Sequence, residues 1–571
     1  MNTQSATQGH PRGLYLLFFT EMWERFSYYG MRAIFILFMT KALLMSTDEA
    51  SIIYGSYTGL VYLTPLLGGY LADRYWGNRK SIFLGGIIMA IGQFLMFLSG
   101  TFYDEKAFAI TLMWSGLTML IVGNGFFKPN ISTMVGQLYT KDDSRVDGAF
   151  TIFYMGINLG AFFSPLICGG LGDTGNPADF KWGFLAACIG MIISVISFEF
   201  LKNKHLSGPD NEAIGMQVKK TDLKVIGMVL GSTAFVFFLM NFKQIFNTDF
   251  DITFYLIVLA FILSPLAIIG DKSITPIERD RIMVIFILAF FVIFFWSAFE
   301  QAGASLTVFA DANVDRNIPI AINKYIIILV LAAVGYYLSK FFEWFFIWKK
   351  NTHLIISGVI LALLIVLSFT GHISSFSQDV IPASWFQSVN PLVIVIFAPI
   401  MSWIWTKMGT NQPSSPTKMA IGLLLVALGY VVIAFGVKGV DTTTKVSLMW
   451  LVSLYFIHTI GELCLSPIGL SMVSKLAPLR FSSLLMGTWF LANALANKFA
   501  GTLSSLLPGN VGGGHGGAAA DPTAHVTKYF LGYEINTLYD FFIVFIVMAG
   551  LASLILFGLS KTLQKKMHGI N

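Results

Sequence analysis

Stretches of about 20 mostly apolar residues alternate with short polar segments from one end of the chain to the other, each long enough to cross a hydrocarbon layer of roughly 30 Å. Spans are predicted near 14–45, 50–73, 80–100, 107–137, 147–171 and 181–201. A basic stretch, "LKNKHLSGPDNEAIGMQVKKTDLK", follows, then spans near 224–241 and 252–270 and, after "GDKSITPIERDR", one that begins near 281. The rest lie near 322–347, 352–370, 385–406, 418–437, 446–474, 482–506 and 536–560, about sixteen in all. The pattern predicts an all-α polytopic membrane protein. Residues 1–201 form a first six-helix bundle, 202–280 a cytoplasmic linker with an extra helix pair, and 281–571 a second bundle interrupted by an apolar pair near 322–370. Two six-span halves joined by a basic linker is the layout of transporters that rock about a midplane site. The extra pairs show no polar face and read as lipid-facing packing hairpins.

Composition agrees: 55% of the 571 residues are hydrophobic, 12% are charged, and the mean hydropathy is +0.71. The first apolar run continues without a small-residue cleavage site, which predicts a retained span rather than a signal peptide. With the N-terminus inside, roughly 23 of the 37 Lys and Arg fall in inward loops and tails, about 9 in outward loops and about 5 within spans, the bias of cytoplasmic loops. Both termini are therefore expected in the cytoplasm. The net charge of +6 is scattered over loops rather than gathered on a face, so no nucleic-acid partner is expected. Cys168, Cys188 and Cys464 sit in apolar surroundings as small core residues, with no disulfide or metal framework. The Gly-rich outward loop "PGNVGGGHGGAAADPTAH" reads as flexible, and its two histidines as no metal site.

The segment "TEMWERFSYYGMRAIF", residues 20–35, places Glu21, Glu24, Arg25 and Arg32 inside the first span. At about 100° per residue, Glu21, Arg25, Tyr28 and Arg32 fall at about 0°, 40°, −20° and 20°, with Glu24 and Tyr29 flanking the stripe. Charge there costs several kcal/mol against lipid, so the stripe faces a bundle interior or a wet cavity. One Glu21–Arg25 pair would suffice to pin helices together; four charges and two phenols exceed that need. Other spans carry isolated ionisable residues: Lys128 in "GNGFFKPN", Glu300 in "FFWSAFEQ" and Glu462 in "IHTIGELCLSPIGLS". Tyr455, His458, Glu462 and Ser466 share one helix face beside a kink at Pro467 and Gly469, with His458 read as structural. Separate cationic and anionic groups in one cavity suit a zwitterion.

These segments resemble the proton-dependent oligopeptide transporter (POT) family of the major facilitator superfamily. "EMWERFSYYG" is similar to its Glu-x-x-Glu-Arg-Phe-x-Tyr-Tyr-Gly motif, "FYMGINLGAF" to its Phe-Tyr-x-x-Ile-Asn-x-Gly signature, and "GGYLADRYWGNRKS" to the superfamily's second-to-third-span loop, with Asp73 and a turn glycine, Gly77. "FFKPN", "FFWSAFEQ", "FQSVNPL", "GELCLSPIGLS" and "WFLANALANKFAG" resemble family segments in the family's order. The insert between Glu300 and "ASWFQSVNP" departs from the pattern, and Phe299 stands where some relatives carry a second acidic residue.

The resemblance implies a major facilitator fold and proton-coupled import of di- and tripeptides across the bacterial inner membrane by alternating access, without cofactor or metal, in a protein expected to work as a monomer in the lipid bilayer. It assigns proton coupling to Glu21, Glu24, Arg25 and Glu300. Arg32 and Lys128 would hold the peptide carboxylate, Glu462 the amino terminus, and Asn158 and Asn390 the peptide backbone. Tyr28, Tyr29, Tyr62, Trp296, Trp489 and Phe490 would shape side-chain pockets. The alternative is a related importer of another small solute such as nitrate or an amino acid; nitrate needs only positive charge, and Glu462 argues for peptides. An enzyme would need a nucleophile–base pair or a metal cluster, and the sequence supplies neither. A receptor or scaffold would leave the intramembrane charges unexplained.

Overall fold

The computed structural model describes residues 9–140, 143–219, 223–271, 274–346, 350–370, 375–441, 444–478, 481–508 and 527–570. The loop histidines, His515 and His525, lie outside the described residues. By contacts the chain divides into a large unit, Met1–Val314 with Ala383–Asn571, and a small one, Asp315–Pro382.

In the large unit the first half comprises α1 (Arg12–Leu37), α2 (Thr47–Leu63) continued by α3 (Pro65–Leu71), α4 (Gly77–Thr101), α5 (Lys106–Gln137), α6 (Val146–Gly172) and α7 (Phe180–His205). The second predicted span is broken at Thr64, because Pro65 has no N–H to continue the helical ladder and instead opens α3. The extra pair follows, α8 (Leu223–Phe246) and α9 (Ile252–Ile269). The second half contains α10 (Pro276–Phe299), which runs through a tight turn, Glu300–Gly303, into the short α11 (Ser305–Asn313). α10 starts five residues before the expected 281, since Thr275 and Glu278 form a reciprocal capping box ahead of Pro276. In the small unit α12 (Lys324–Phe346) and α13 (Thr352–Phe369) form a hairpin; the large unit resumes with α14 (Val389–Met408), α15 (Ser415–Val437), α16 (Leu448–Leu476), α17 (Ser482–Ser504) and α18 (Leu538–Lys566).

Thirteen described helical stretches are long and apolar enough to cross a membrane. One of them, Thr47–Thr101, holds two crossings. α1 and α17 are as long but more polar, α1 through its charges and α17 through Asn493, Asn497 and Lys498. With them the expected sixteen are present.

Within the first half α1 packs on α6 and α7, and α4 on α5 and α7; within the second, α15 packs on α16 and α18, and α10 on α17. The halves meet along α2 and α17, where a Cβ added at Gly55 would lie 2.7 Å from Gly501 Cα. Only glycine permits that backbone approach. Gly77 takes φ +68°, as a turn glycine must, and the next turn docks the linker: Arg79 donates to Ile214 O at 2.7 Å, to Asn203 Oδ1 at 3.0 Å and to Leu206 O. All three cysteines are buried and free.

The small unit is held by Ser339 Oγ and Ser357 Oγ at 2.7 Å between its helices and by strands Ile320–Ile322 and Phe376–Gln378, paired antiparallel with Ile320 opposite Gln378. No residue of α13 is buried, as a lipid-facing hairpin requires. The α8–α9 pair is mostly exposed too, but it also makes contacts that this reading does not include. α8 packs on α5 and α2, α9 packs on α17, and the turn between them supplies Asp251 to a buried lysine, Lys498. Its charge sits in the turn, not the spans, so no polar helix face announces it.

Candidate functional site

The first-span stripe turns inward, burying Glu21, Glu24, Arg25, Tyr28 and Arg32. Arg25 donates twice to Glu24, once at 2.8 Å from Nη2 to Oε1, and lies 3.2 Å from Glu21 Oε1. Asn124 of α5 donates to Glu24 Oε1 at 3.2 Å. Both Glu24 oxygens are therefore engaged, whereas Glu21 Oε2 is buried without a hydrogen-bond partner. The Arg25 guanidinium lies 5.1 Å from the Tyr28 ring centre and 6.0 Å from that of Tyr29, a cation–π arrangement.

About two turns beyond Arg25 along α1, Arg32 forms an ion pair with Glu300 at the end of α10 and donates to Tyr54 Oη at 2.5 Å. This pair joins the halves. So do Lys41–Asp311 and Lys528–Asp48, each at 2.6 Å, and all lie toward the end of the molecule that carries the α1–α2 turn.

A cavity of about 390 Å³ lies between the halves. Of the residues expected at the site, Tyr29, Arg32, Tyr62, Lys128, Asn158, Trp296, Glu300, Asn390, Glu462, Trp489 and Phe490 line it. Lys128 Nζ stands 4.6 Å from the Tyr62 ring centre and makes no ion pair with a described residue. Across the cavity Glu462 accepts from Asn390 Nδ2 at 2.7 Å, and the same amide donates to Thr459 Oγ1 at 3.1 Å. Asn158 donates to Tyr154 O at 3.0 Å. Tyr455, His458 and Ser466 line the wall with Glu462, as their shared face predicts. His458 Nε2 is bonded to Val426 O at 3.0 Å.

Four expected residues do not line the cavity. Glu21, Glu24 and Arg25 form a cluster behind the wall, and Tyr28 is packed against Tyr57 with 6.3 Å between ring centres, which removes it from the expected side-chain pocket. Sequence reasoning missed Tyr54 and Asn124, which fix Arg32 and Glu24, and the wall residues Tyr154, Gln387 and Asn493. Their polarity within apolar spans was the available signal.

Two bundles of membrane-crossing helices around a cavity that presents both signs of charge define a polytopic membrane transporter of the major facilitator type. The POT family's sequence profile matches residues 79–334 and 369–510, interrupted within the α12–α13 hairpin, and this chain belongs to the POT family. It is 32% identical over 518 residues to the peptide transporter YePEPT of Yersinia enterocolitica, covering 87% of this chain and 88% of that protein. It is 30% identical over 508 residues to the dipeptide and tripeptide permease A of Escherichia coli, covering 88% and 86%. Among solved structures, the peptide transporter POT in complex with sulfate is similar with a TM-score of 0.73 at 29% identity, covering 99% of this chain and 98% of that one. A POT family transporter in complex with a thioalcohol-conjugated peptide is similar at 30% identity with a TM-score of 0.73, covering 98% of each.

Proposed function

We propose that this chain is a proton-coupled symporter that imports di- and tripeptides by alternating access, working as a monomer in the bacterial cytoplasmic membrane with both termini inside. The bundles would follow the bounds expected from sequence, 1–201, 202–280 for the linker and extra pair, and 281–571 with its inserted hairpin, adjusted so that α7 ends at His205 and α10 begins at Pro276. One observation carries the reading: Arg32 and Lys128 face Glu462 across a cavity of about 390 Å³. Arg32 and Lys128 would take the peptide carboxylate and Glu462 its ammonium, while the amides of Asn158 and Asn390 would bond to the peptide backbone. Tyr29, Tyr62, Trp296, Trp489 and Phe490 would bound the side-chain space.

The charge balance gives a reason for proton coupling. Arg25, Arg32 and Lys128 supply three positive charges; Glu21, Glu24, Glu300 and Glu462 supply four negative ones, a formal excess of one negative. A zwitterionic peptide brings no net charge. One added proton makes the loaded site neutral, and a neutral site crosses a low-dielectric interior at the lowest cost. Glu21, with an oxygen unpartnered, and Glu300, paired to Arg32, are the groups to receive it. A proton on Glu300 frees Arg32 for the peptide carboxylate, and the same event weakens a bond between the halves. Arg25 and Glu24 would relay the change along α1.

The test is purified protein in liposomes with labelled dialanine, with and without an inward proton gradient. Accumulation above equilibrium is expected only with the gradient; uptake that ignores the gradient would sink the proposal.

A further inference from the structure

Lys498 of α17 is 1% exposed, and the peptide site does not use it. Its ammonium donates to Ser56 Oγ of α2 at 2.6 Å and pairs with Asp251 Oδ2 at 2.6 Å. Asp251 lies in the α8–α9 turn, where its other oxygen caps α9 by accepting from Phe254 N at 3.1 Å. One ammonium is thus shared by the first half, the second half and the extra pair. It sits at the closest approach of the halves: a Cβ added at Gly59 would lie 3.0 Å from Ala494 O and 3.2 Å from Lys498 Cβ. The lysine is buried at this approach, so closure of the α2–α17 seam needs a counter-ion for its charge.

The extra pair straddles that seam, α8 against α5 and α2, and α9 against α17. Thr253 Oγ1 donates to Leu239 O at 3.3 Å between the two helices, and Thr488 Oγ1 of α17 donates to Ser264 Oγ of α9 at 3.3 Å. A polar recess of about 480 Å³ lined by Ser56, Lys243 and Asp251 opens beside the turn, so Asp251 both meets Lys498 and borders this recess.

We infer that Lys498 and Asp251 are a positioning pair for the gate, which makes α8–α9 a brace on the seam rather than passive packing. Asp251 neutralises the ammonium while α2 and α17 are closed. It stays with Lys498 when the seam parts and Ser56 withdraws, so opening breaks one hydrogen bond from the ammonium to a hydroxyl and leaves the charge paired. Without Asp251 the ammonium is buried without a counter-ion while the seam is closed, which favours the parted seam, where water reaches it more freely. The inference rests on the alternating-access reading above.

Ser51 of α2 is fully buried at this seam, its carbonyl 2.5 Å from a Cβ added at Gly501, and reports on opening. Ser51→Cys is placed in a chain whose Cys168, Cys188 and Cys464 are replaced by alanine, and labelled in right-side-out liposomes, without peptide, by a membrane-impermeant maleimide. Asp251→Asn should raise the labelling rate on the order of tenfold, since an unpaired buried charge shifts the closed population by at least that much. Asp251→Glu should restore the parent rate, and so should Asp251→Asn combined with Lys498→Met, which removes both charges. In dialanine uptake Asp251→Asn should lower the maximal rate with the apparent KM little changed. Labelling of Asp251→Asn at the parent rate, or of the double variant as fast as the single, overturns the brace. Should Asp251→Asn not reach the membrane, the exchanged pair Asp251→Lys with Lys498→Asp replaces it. Slow labelling of that pair supports the brace; fast labelling or failure to insert overturns it. A chain that labels as expected yet takes up no dialanine refutes the peptide reading alone.

Discussion

Arg32 of α1 and Glu300 at the end of α10 are ion paired between the two halves while both line the central cavity, so one contact serves as a bond between the halves and as part of the wall a ligand meets. Glu300→Gln removes the charge and leaves Arg32 held by Tyr54 alone. Gradient-driven accumulation of dialanine should fall to equilibration, while peptide-for-peptide exchange persists because the freed arginine still meets the carboxylate. Liposome uptake and counterflow measure the two separately, and retention of accumulation would place the transported proton elsewhere.

Glu21 and Glu24 should differ. Glu21→Gln leaves Arg25 neutralised by Glu24, so coupling is lost with little effect on folding. Glu24→Gln removes the charge nearest Arg25 and replaces one of the two acceptor oxygens by an NH2 donor, leaving Glu21 at 3.2 Å as the remaining counter-charge, and weakening a buried pair in this way costs up to about 3–5 kcal/mol. Uptake with a gradient, alongside thermal unfolding in detergent, distinguishes the two: accumulation falls in both, and the unfolding temperature falls in Glu24→Gln only. Unchanged accumulation in both variants would leave Glu300 as the coupling site.

Peptide termini should matter more than side chains. Each terminus makes charge-assisted bonds, and a capped analogue leaves the facing protein charge poorly paired, at about 2 kcal/mol or more, roughly 30-fold in affinity. N-acetylated and C-amidated dialanine and tetraalanine should compete poorly with labelled dialanine, each added residue extending a chain by up to about 3.3–3.6 Å. In Glu462→Gln, discrimination against the acetylated form should disappear. Equal competition by all these peptides would rule out the two-ended clamp.

The α12–α13 hairpin should be dispensable for transport. Its strands bring Ile320 opposite Gln378, so removing residues 321–377 and joining the ends through an Asn-Gly turn leaves the flanking chain in place. Dialanine uptake by the shortened protein, corrected for the amount in the membrane, should stay within about threefold of the parent, as surface changes of under about 0.5 kcal/mol allow. Loss of uptake by a well-inserted deletion would show that these helices take part in the cycle.

Hydrophobic run length and helical period made much of this protein legible from its residues alone. Hydrocarbon forces every backbone polar group into a helix and every intramembrane charge away from lipid, so the crossings, the inward stripe of α1 and the Tyr455–Ser466 wall follow from spacing. Period tells which face a side chain occupies but not which neighbour it meets. The tertiary packing decided that Arg32 pairs with Glu300, 268 residues along the chain, that Tyr28 stands behind the wall against Tyr57, and that Asn124 holds Glu24. It also decided that Asp251, in a turn any sequence reading leaves to solvent, neutralises Lys498 at the glycine seam. Helices that a flat hydropathy profile assigns to lipid acquire a role only when packing lays them across two moving halves, because a buried charge takes its partner from whichever element reaches it in space, however far away that element lies in sequence.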